Sequence, residues 1–160
     1  MPIGVNVTRI AEDYVAFFVL STLPVDPATN RFAHSGAAFA VKTLVATRTL
    51  DGFATDSDVM PATAAAAAQV AAVAADLAAN PLATVRIEGF TDSTGTVAHK
   101  LDLGGRRAAS GTAALGAAGV DPGRIHEVAR GETGFVAPND TPANLARNRR
   151  VVFTVTRPGP

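Results

Sequence analysis

The chain has 160 residues, a length that suits one globular domain with a single hydrophobic core. Its 14 basic and 14 acidic residues balance and only 6% of its residues are aromatic, so we do not expect nucleic acid as a partner, because that class needs excess positive charge or clustered aromatics. The absence of cysteine excludes disulfide frameworks, thiolate metal sites and thiol nucleophiles.

Residues 1–42 form an N-terminal extension with a pattern of its own. Prolines and glycine interrupt two apolar patches, at 15–20 and 37–41. We expect the extension either to add strands at the edge of the domain or to act as a docking arm that pairs with another protein. No secretory signal peptide is visible at its start, and no apolar run in the chain is long enough for direct membrane insertion.

The next residues alternate between strand and helix patterns. Residues 43–50 (TLVATRTL) are rich in β-branched side chains and predict a strand. The alanine-rich residues 61–79 predict a helix, because Pro61 suits a first helical turn and the larger apolar residues recur at spacings of three and four. Residues 84–90 (TVRIEGF) alternate apolar and polar side chains, which indicates a half-buried strand.

The second half of the chain adds one helix and two strands. Residues 100–118 predict a second helix that ends at Gly119. Residues 124–130 and 149–156 predict the third and fourth strands, with a short helical turn before the last one.

The order β-α-β-α-β-β predicts an α+β fold. Each strand–helix–strand crossover should be right-handed, which brings both main helices to one face of a mixed four-stranded sheet. We therefore expect one domain over residues 43–156, preceded by the extension at 1–42 and followed by a frayed tail at 157–160.

Motifs that carry catalysis or bind cofactors are missing from the sequence. It has no P-loop, nucleophile elbow, dinucleotide-binding glycine pattern or zinc-protease helix. The three histidines, at positions 34, 99 and 126, are too dispersed to indicate a metal site. We therefore expect no enzymatic activity, no cofactor and no bound metal.

Polar residues cluster between the strand at 84–90 and the helix after it. Asp92 follows the strand directly, and Arg107 lies one turn beyond Leu103, where helix side chains lean back toward the N-terminus. Both side chains should face one crevice, where a carboxylate, a guanidinium and a helix N-terminus suit a zwitterionic ligand. The alternative is an internal Asp92–Arg107 salt bridge, and the spacing alone does not choose between them.

Three separated blocks of the sequence resemble the OmpA-like peptidoglycan-binding domain. This family is shared by outer-membrane OmpA proteins, peptidoglycan-associated lipoproteins and flagellar stator proteins. The blocks occur in the family's order and spacing: VRIEGFTDSTG (85–95), LDLGGRRA (101–108) and NDTPANLARNRRVVFTV (139–155). The resemblance covers roughly residues 43–156.

The resemblance implies the α+β fold and noncovalent binding of peptidoglycan through the diaminopimelate residue of its stem peptide. By position, Asp92 would receive the ammonium and Arg107 the carboxylate of that residue's side-chain end. Thr91, Asp58 and Arg150 would make supporting contacts. We expect the Arg107 side chain to lie at the mouth of the pocket, outside the core.

Three positions depart from the residues that are usual in the family. Phe90 stands where histidine is usual, Lys100 where asparagine is common, and Gly111 where a larger apolar residue is usual. We expect Lys100 to keep its charged end in water, away from a bound ammonium group.

The sequence is consistent with two functions of different classes. The first is a cell-wall-binding module that anchors a protein or a larger assembly, located in the cell envelope on its periplasmic or wall-facing side. The second is a structural subunit of an envelope or injection apparatus, with the same fold and a degenerate pocket. In both cases residues 1–42 are the expected contact with a protein partner.

Overall fold

A computed structural model describes residues 25–26, 31–32 and 42–159. Strands β1 (Val25–Asp26) and β2 (Arg31–Phe32) pair with each other in antiparallel fashion. The residues from Leu44 to Arg157 form a separate compact unit. The apolar patches at 15–20 and 37–41, on which the docking-arm prediction depends, lie outside the described residues.

The compact unit has the α+β fold that the sequence predicts. Its sheet has the strand order β3-β6-β4-β5, in which β4 runs parallel to β5 and antiparallel to β6. The sheet is therefore mixed and four-stranded, and the short helical turn predicted before the last strand is a third α-helix. In chain order the elements are β3 (Lys42–Asp51), α1 (Ala64–Ala79), β4 (Thr84–Phe90), α2 (Val97–Ala117), β5 (Ile125–Gly131), α3 (Pro142–Asn148) and β6 (Arg150–Pro158).

Both ends of helix α1 are capped by side chains. Alanine, the best helix former, makes up most of the helix, and the hydroxyl of Thr63 accepts a hydrogen bond from Ala66 N at 3.1 Å. At the other end, Arg124 Nη2 donates to Leu77 O at 2.9 Å and to Asn80 O at 2.7 Å. The guanidinium thus adds a second donor to each of two carbonyl groups at the end of the helix, which also accept from Asn80 N and Ala83 N.

The hydrophobic core lies between helices α1 and α2 and one face of the sheet. Alternate residues of β4 and β6 point toward the helices, as the two-residue period of a strand requires. The helices contribute their inward-facing apolar residues to the same cluster. The buried core includes Val73, Leu77, Val85, Ile87, Ala108, Leu115, Val151, Phe153 and Val155.

Helix α2 lies in direct backbone contact with strand β4. A methyl group added at Gly89 would lie 1.8 Å from Gly104 O, and one added at Gly104 would lie 2.6 Å from Gly89 O. Two helical turns beyond Gly104, a methyl group added at Gly111 would lie 3.1 Å from Ile87 Cγ2 and 3.3 Å from a ring carbon of Phe153. The helix can approach this closely only because glycine occupies these positions, which explains the small residue at Gly111.

We expect Gly104→Ala to lower the free energy of unfolding by about 3 kcal/mol, because the added methyl group forces two backbones apart. Gly116→Ala is the matched control on the same helix, since nothing lies within 4 Å of its added methyl group. That change should raise the free energy of unfolding by up to about 1 kcal/mol through helix propensity. Urea unfolding measures the free energy of unfolding of both variants. If the two substitutions change it by the same amount, the backbone contact at Gly104 is contradicted.

None of the helices in the described part of the chain is long and apolar enough to cross a membrane.

Candidate functional site

A cavity of about 170 Å³ lies beside the C-terminal end of β4. Its walls come from the loop after β3, the loop after β4, helix α2 and the residue before β6. The cavity is smaller than the roughly 300–1,000 Å³ of pockets that enclose a whole small molecule, so it suits one end of a larger ligand. It is lined by Thr55, Asp56, Asp92, Thr94, Gly95, His99, Leu103, Arg107 and Arg149.

Arg107 contributes to the cavity wall but is 0% exposed to solvent. Its guanidinium donates to three carbonyl oxygens, from Nε to Ser57 at 2.8 Å, from Nη1 to Phe90 at 2.9 Å and from Nη2 to Ala54 at 3.2 Å. The prediction that Arg107 lies at the mouth of the pocket is therefore wrong. The loop after β3 wraps the guanidinium and buries it.

Arg107 has no ion-pair partner among the carboxylates of the described residues. Burial, and after it the charge of Arg149, lower the pKa of Arg107 to about 10, while nearby aspartates act in the opposite direction. The guanidinium is therefore still charged at neutral pH. The partners of this buried cation are three neutral carbonyl groups and the Phe53 ring, whose centroid lies 5.2 Å from Arg107 Cζ, and a cation without a counter-charge favours the approach of an anion.

The carboxylate of Asp92 pairs with Arg149 rather than with Arg107. Asp92 is 4% exposed, and its Oδ2 accepts a hydrogen bond from Arg149 Nη1 at 2.9 Å. Its Oδ1 accepts from Thr94 N at 2.9 Å. The alternative of an internal Asp92–Arg107 salt bridge is therefore wrong, although both residues do line the same cavity.

The pKa of the Asp92 carboxyl reflects opposing effects. Burial is the largest single effect and raises the pKa. Hydrogen bonds from Thr94 and Arg149, together with the positive charge of Arg149, outweigh burial and hold the pKa below its ordinary value of 3.8. Asp92 is therefore a charged carboxylate at neutral pH, even though it is buried.

The other predicted site residues do not line the cavity. Thr91 is buried, and its hydroxyl donates to the carbonyl oxygen of Asp92 at 3.0 Å. Asp58 lies nearer the surface and pairs with Arg106 at 3.3 Å. Thr91 therefore supports the loop that carries Asp92. Asp58 is not part of the cavity wall, although its negative charge acts to raise the pKa of Arg107.

Arg150 does not line the cavity either. Its neighbour Arg149 lines the cavity instead, at the place where the family resemblance implied Arg150. Arg150 Cζ lies 3.8 Å from the centroid of the Phe90 ring, and Nη2 donates to Gly134 O at 2.7 Å. Burial lowers the pKa of Arg150, partly opposed by Glu88. Neighbouring residues of an extended chain point to opposite sides, so only one of the two arginines can face the cavity.

Lys100 is buried, and the expectation that its charged end lies in water is not met. It is 5% exposed, and its Nζ lies 2.6 Å from Glu132 Oε2 and donates to Ser93 O at 3.3 Å. The expectation is wrong because Glu132, in the loop after β5, supplies a counter-charge inside the protein. The pair also ties the first turn of α2 to the chain next to Asp92.

A second contact across the cavity wall joins His99 and Asp56. His99 Nε2 lies 2.6 Å from Asp56 Oδ1, and the two side chains are 42% and 68% exposed. The sequence does not reveal this pair, because its members are 43 positions apart and belong to no motif. Asp56 also has a φ angle of 54°, a left-handed conformation that residues other than glycine seldom adopt.

Metal binding finds no support in the part of the chain that the structure describes. No group of three or more histidine, cysteine, aspartate and glutamate side chains there could hold a metal ion.

Comparison with known proteins relates most of the compact unit to one family. A model described as the OmpA family matches residues 52–149. Outer membrane protein A of Bordetella avium is 44% identical over 83 residues, which is 52% of this chain and 43% of that protein. The chain spans about half the length of the curated relatives it matches.

Two solved structures share the fold. The peptidoglycan-associated lipoprotein from Burkholderia pseudomallei is 30% identical with a TM-score of 0.61, covering 68% of this chain and 89% of that chain. The cell wall anchor of the T6SS from Pseudomonas aeruginosa is 27% identical with a TM-score of 0.57, covering 75% of this chain and 84% of that chain.

The lowered pKa of Asp92 makes the contribution of its ion pair to stability depend on pH. The pair with Arg149 stabilises the fold above the unfolded-state pKa, and that contribution is lost as the pH falls through the folded-state pKa. We expect Asp92→Asn to lower the free energy of unfolding by about 1–3 kcal/mol near neutral pH and by clearly less at about pH 2–3. Urea unfolding across this range tests the prediction, and a difference that does not change with pH would contradict it.

Proposed function

The chain belongs to the OmpA family, and we propose that it binds peptidoglycan noncovalently and anchors a protein or a larger assembly to the cell wall. The names of similar proteins support this proposal, since one is a peptidoglycan-associated lipoprotein and another is a cell wall anchor. The proposed location is the cell envelope, on its periplasmic or wall-facing side. The proposed activity is binding, without catalysis.

One observation carries the proposal, namely a buried cation and a buried carboxylate in the wall of one cavity. Arg107 donates only to carbonyl oxygens and has no counter-charge in direct contact. Asp92 is ionised and uses two of the roughly four lone-pair positions that a carboxylate offers. The cavity is therefore complementary to a ligand that has a carboxylate and an ammonium group close together.

The finer proposal is that this ligand is the diaminopimelate residue of the stem peptide. Its side-chain end bears one ammonium and one carboxylate, and the cavity suits the end of a side chain. Arg107 has five N–H donors, of which three are used by the protein, so two are left for the carboxylate. Each charge-assisted hydrogen bond contributes about 1.5–3 kcal/mol.

The second candidate function is a structural subunit of an envelope or injection apparatus with a pocket that no longer binds. The complete burial of Arg107 favours this candidate, because its bonds to three carbonyl oxygens give it a structural role without a ligand. In both proposals residues 1–42 contact the protein partner.

Binding to purified sacculi separates the two functions. We expect Asp92→Asn to weaken binding to diaminopimelate-containing sacculi at least about tenfold, because the ligand ammonium loses a charged acceptor, and tenfold needs only about 1.4 kcal/mol. Asp102→Asn is the matched control, since it makes the same change on the exposed face of α2 and should bind as the wild type does. Co-sedimentation measures all three proteins. A folded Asp92→Asn variant that binds normally would refute the assigned site.

Selectivity between wall types tests the finer proposal. We expect a stem peptide with lysine in place of diaminopimelate to bind at least about tenfold more weakly, since its side chain has no carboxylate for Arg107. Titration calorimetry with two peptides of equal length measures the difference. Equal affinity for both peptides would leave wall binding possible but would rule out recognition of diaminopimelate.

A further inference from the structure

The cavity wall contains a second aspartate, Asp56, in addition to Asp92. Its side chain is 68% exposed, and its Oδ1 contacts His99 Nε2 at 2.6 Å. No other residue in the described part of the chain donates a hydrogen bond to this carboxylate. Oδ2 of Asp56 is therefore available to a donor that enters the cavity.

Asp56 is more accessible to a new cation than Asp92. Both oxygens of Asp92 already accept hydrogen bonds, from Thr94 N and from Arg149, and water has almost no access to the residue. Asp56 has one exposed partner, which can be exchanged at little cost because contacts between exposed charged or polar groups are weak in water.

Asp56 also contributes to the balance of charge among the residues that line the cavity. The charge of Arg149 cancels that of Asp92, and Arg107 adds a further positive charge. With these three lining groups alone, an ammonium group entering the cavity would meet a wall of net positive charge, which disfavours it. Asp58 adds a negative charge near Arg107 from outside the wall. Asp56 brings the wall to two positive and two negative charges, so that a zwitterion is accommodated without excess charge.

Arg107 holds the loop that carries Asp56. Its guanidinium donates to the carbonyl oxygens of Ala54 and Ser57, which lie on either side of Asp56 in the sequence. The turn is closed by a hydrogen bond of 3.3 Å from Ser57 N to Ala54 O. The residue proposed to bind the ligand carboxylate thus also fixes the position of Asp56 at the cavity.

We propose that Asp56 is a second ammonium-binding residue of the cavity, and that the ligand ammonium replaces His99 as its partner. The inference rests on the proposed function, since the ligand is the zwitterionic end of the stem peptide. The three N–H donors of the ammonium are shared between Asp56 and Asp92.

The test compares two aspartates of one loop. Asp56→Asn and Asp58→Asn remove the same charge two positions apart, but Asp58 pairs with Arg106 and does not line the cavity. Asparagine also tolerates the left-handed backbone of Asp56, so both variants should fold. We expect Asp56→Asn to weaken binding of a diaminopimelate stem peptide at least about tenfold and Asp58→Asn to weaken it less than about twofold, measured by calorimetry.

A second ligand identifies the group that Asp56 binds. When the side-chain ammonium of the peptide is acetylated, wild type and Asp56→Asn should bind it with the same low affinity. A variant that also loses affinity for the acetylated peptide would show that Asp56 only shapes the cavity, and would overturn the proposal.

The outcomes distinguish this inference from the proposed function. If the wild type binds neither peptide nor sacculi, the proposed function and the role of Asp56 both fail. If the wild type binds and Asp92→Asn does not, while Asp56→Asn binds as the wild type does, the proposed function stands and the role of Asp56 is overturned.

Discussion

The cavity depends on the hydrogen bonds of one buried guanidinium, that of Arg107. This side chain starts on α2 and reaches the last residue of β4 through Phe90 O and the loop after β3 through Ala54 O and Ser57 O. It therefore holds together three segments that form the cavity wall. Its reach is set by the fold, because α2 lies against β4 closely enough for the guanidinium to contact the end of the strand.

The buried cations around the site are stabilised in different ways. Lys100 and Arg149 each have a carboxylate partner, and Arg150 has an aromatic ring and carbonyl oxygens. Neither Arg107 nor Arg150 has a carboxylate in direct contact, and of these two only Arg107 lines the cavity. Neutral dipoles compensate a buried charge less completely than an opposite charge does. This difference identifies the place in the cavity where an external anion is most favourable.

The sequence was sufficient for the fold and for part of the site. The strand at Thr84–Phe90 has the predicted bounds, because alternation over seven residues fixes both its type and its ends. Helix α2 starts at Val97, before the predicted start, because Thr96 caps it. Asp92 and Arg107 line one cavity as predicted from their spacing, but the ion pair of Asp92 was not predictable. It depends on which of two adjacent arginines faces the cavity, and that is decided by the register of β6.

Other features of the site cannot be predicted from sequence patterns. The partners of Arg107 are backbone carbonyl groups. Every residue type has such a group, so the sequence does not show which ones bind the guanidinium. Lys100 and Glu132 are 32 positions apart, and only the folded chain brings their charges together. Burial of a lysine is therefore predictable only when its partner is known.

The contact between Gly89 and Gly104 has a mechanical consequence. No side chain lies between the two backbones at this contact. A pull on α2 therefore cannot be absorbed there by rotation of a side chain. A force applied to Arg107 therefore passes directly to β4, which is an interior strand held by hydrogen bonds to β5 and β6. Tension between a bound wall and the chain would thus be distributed over three strands of the sheet, as suits the proposed attachment.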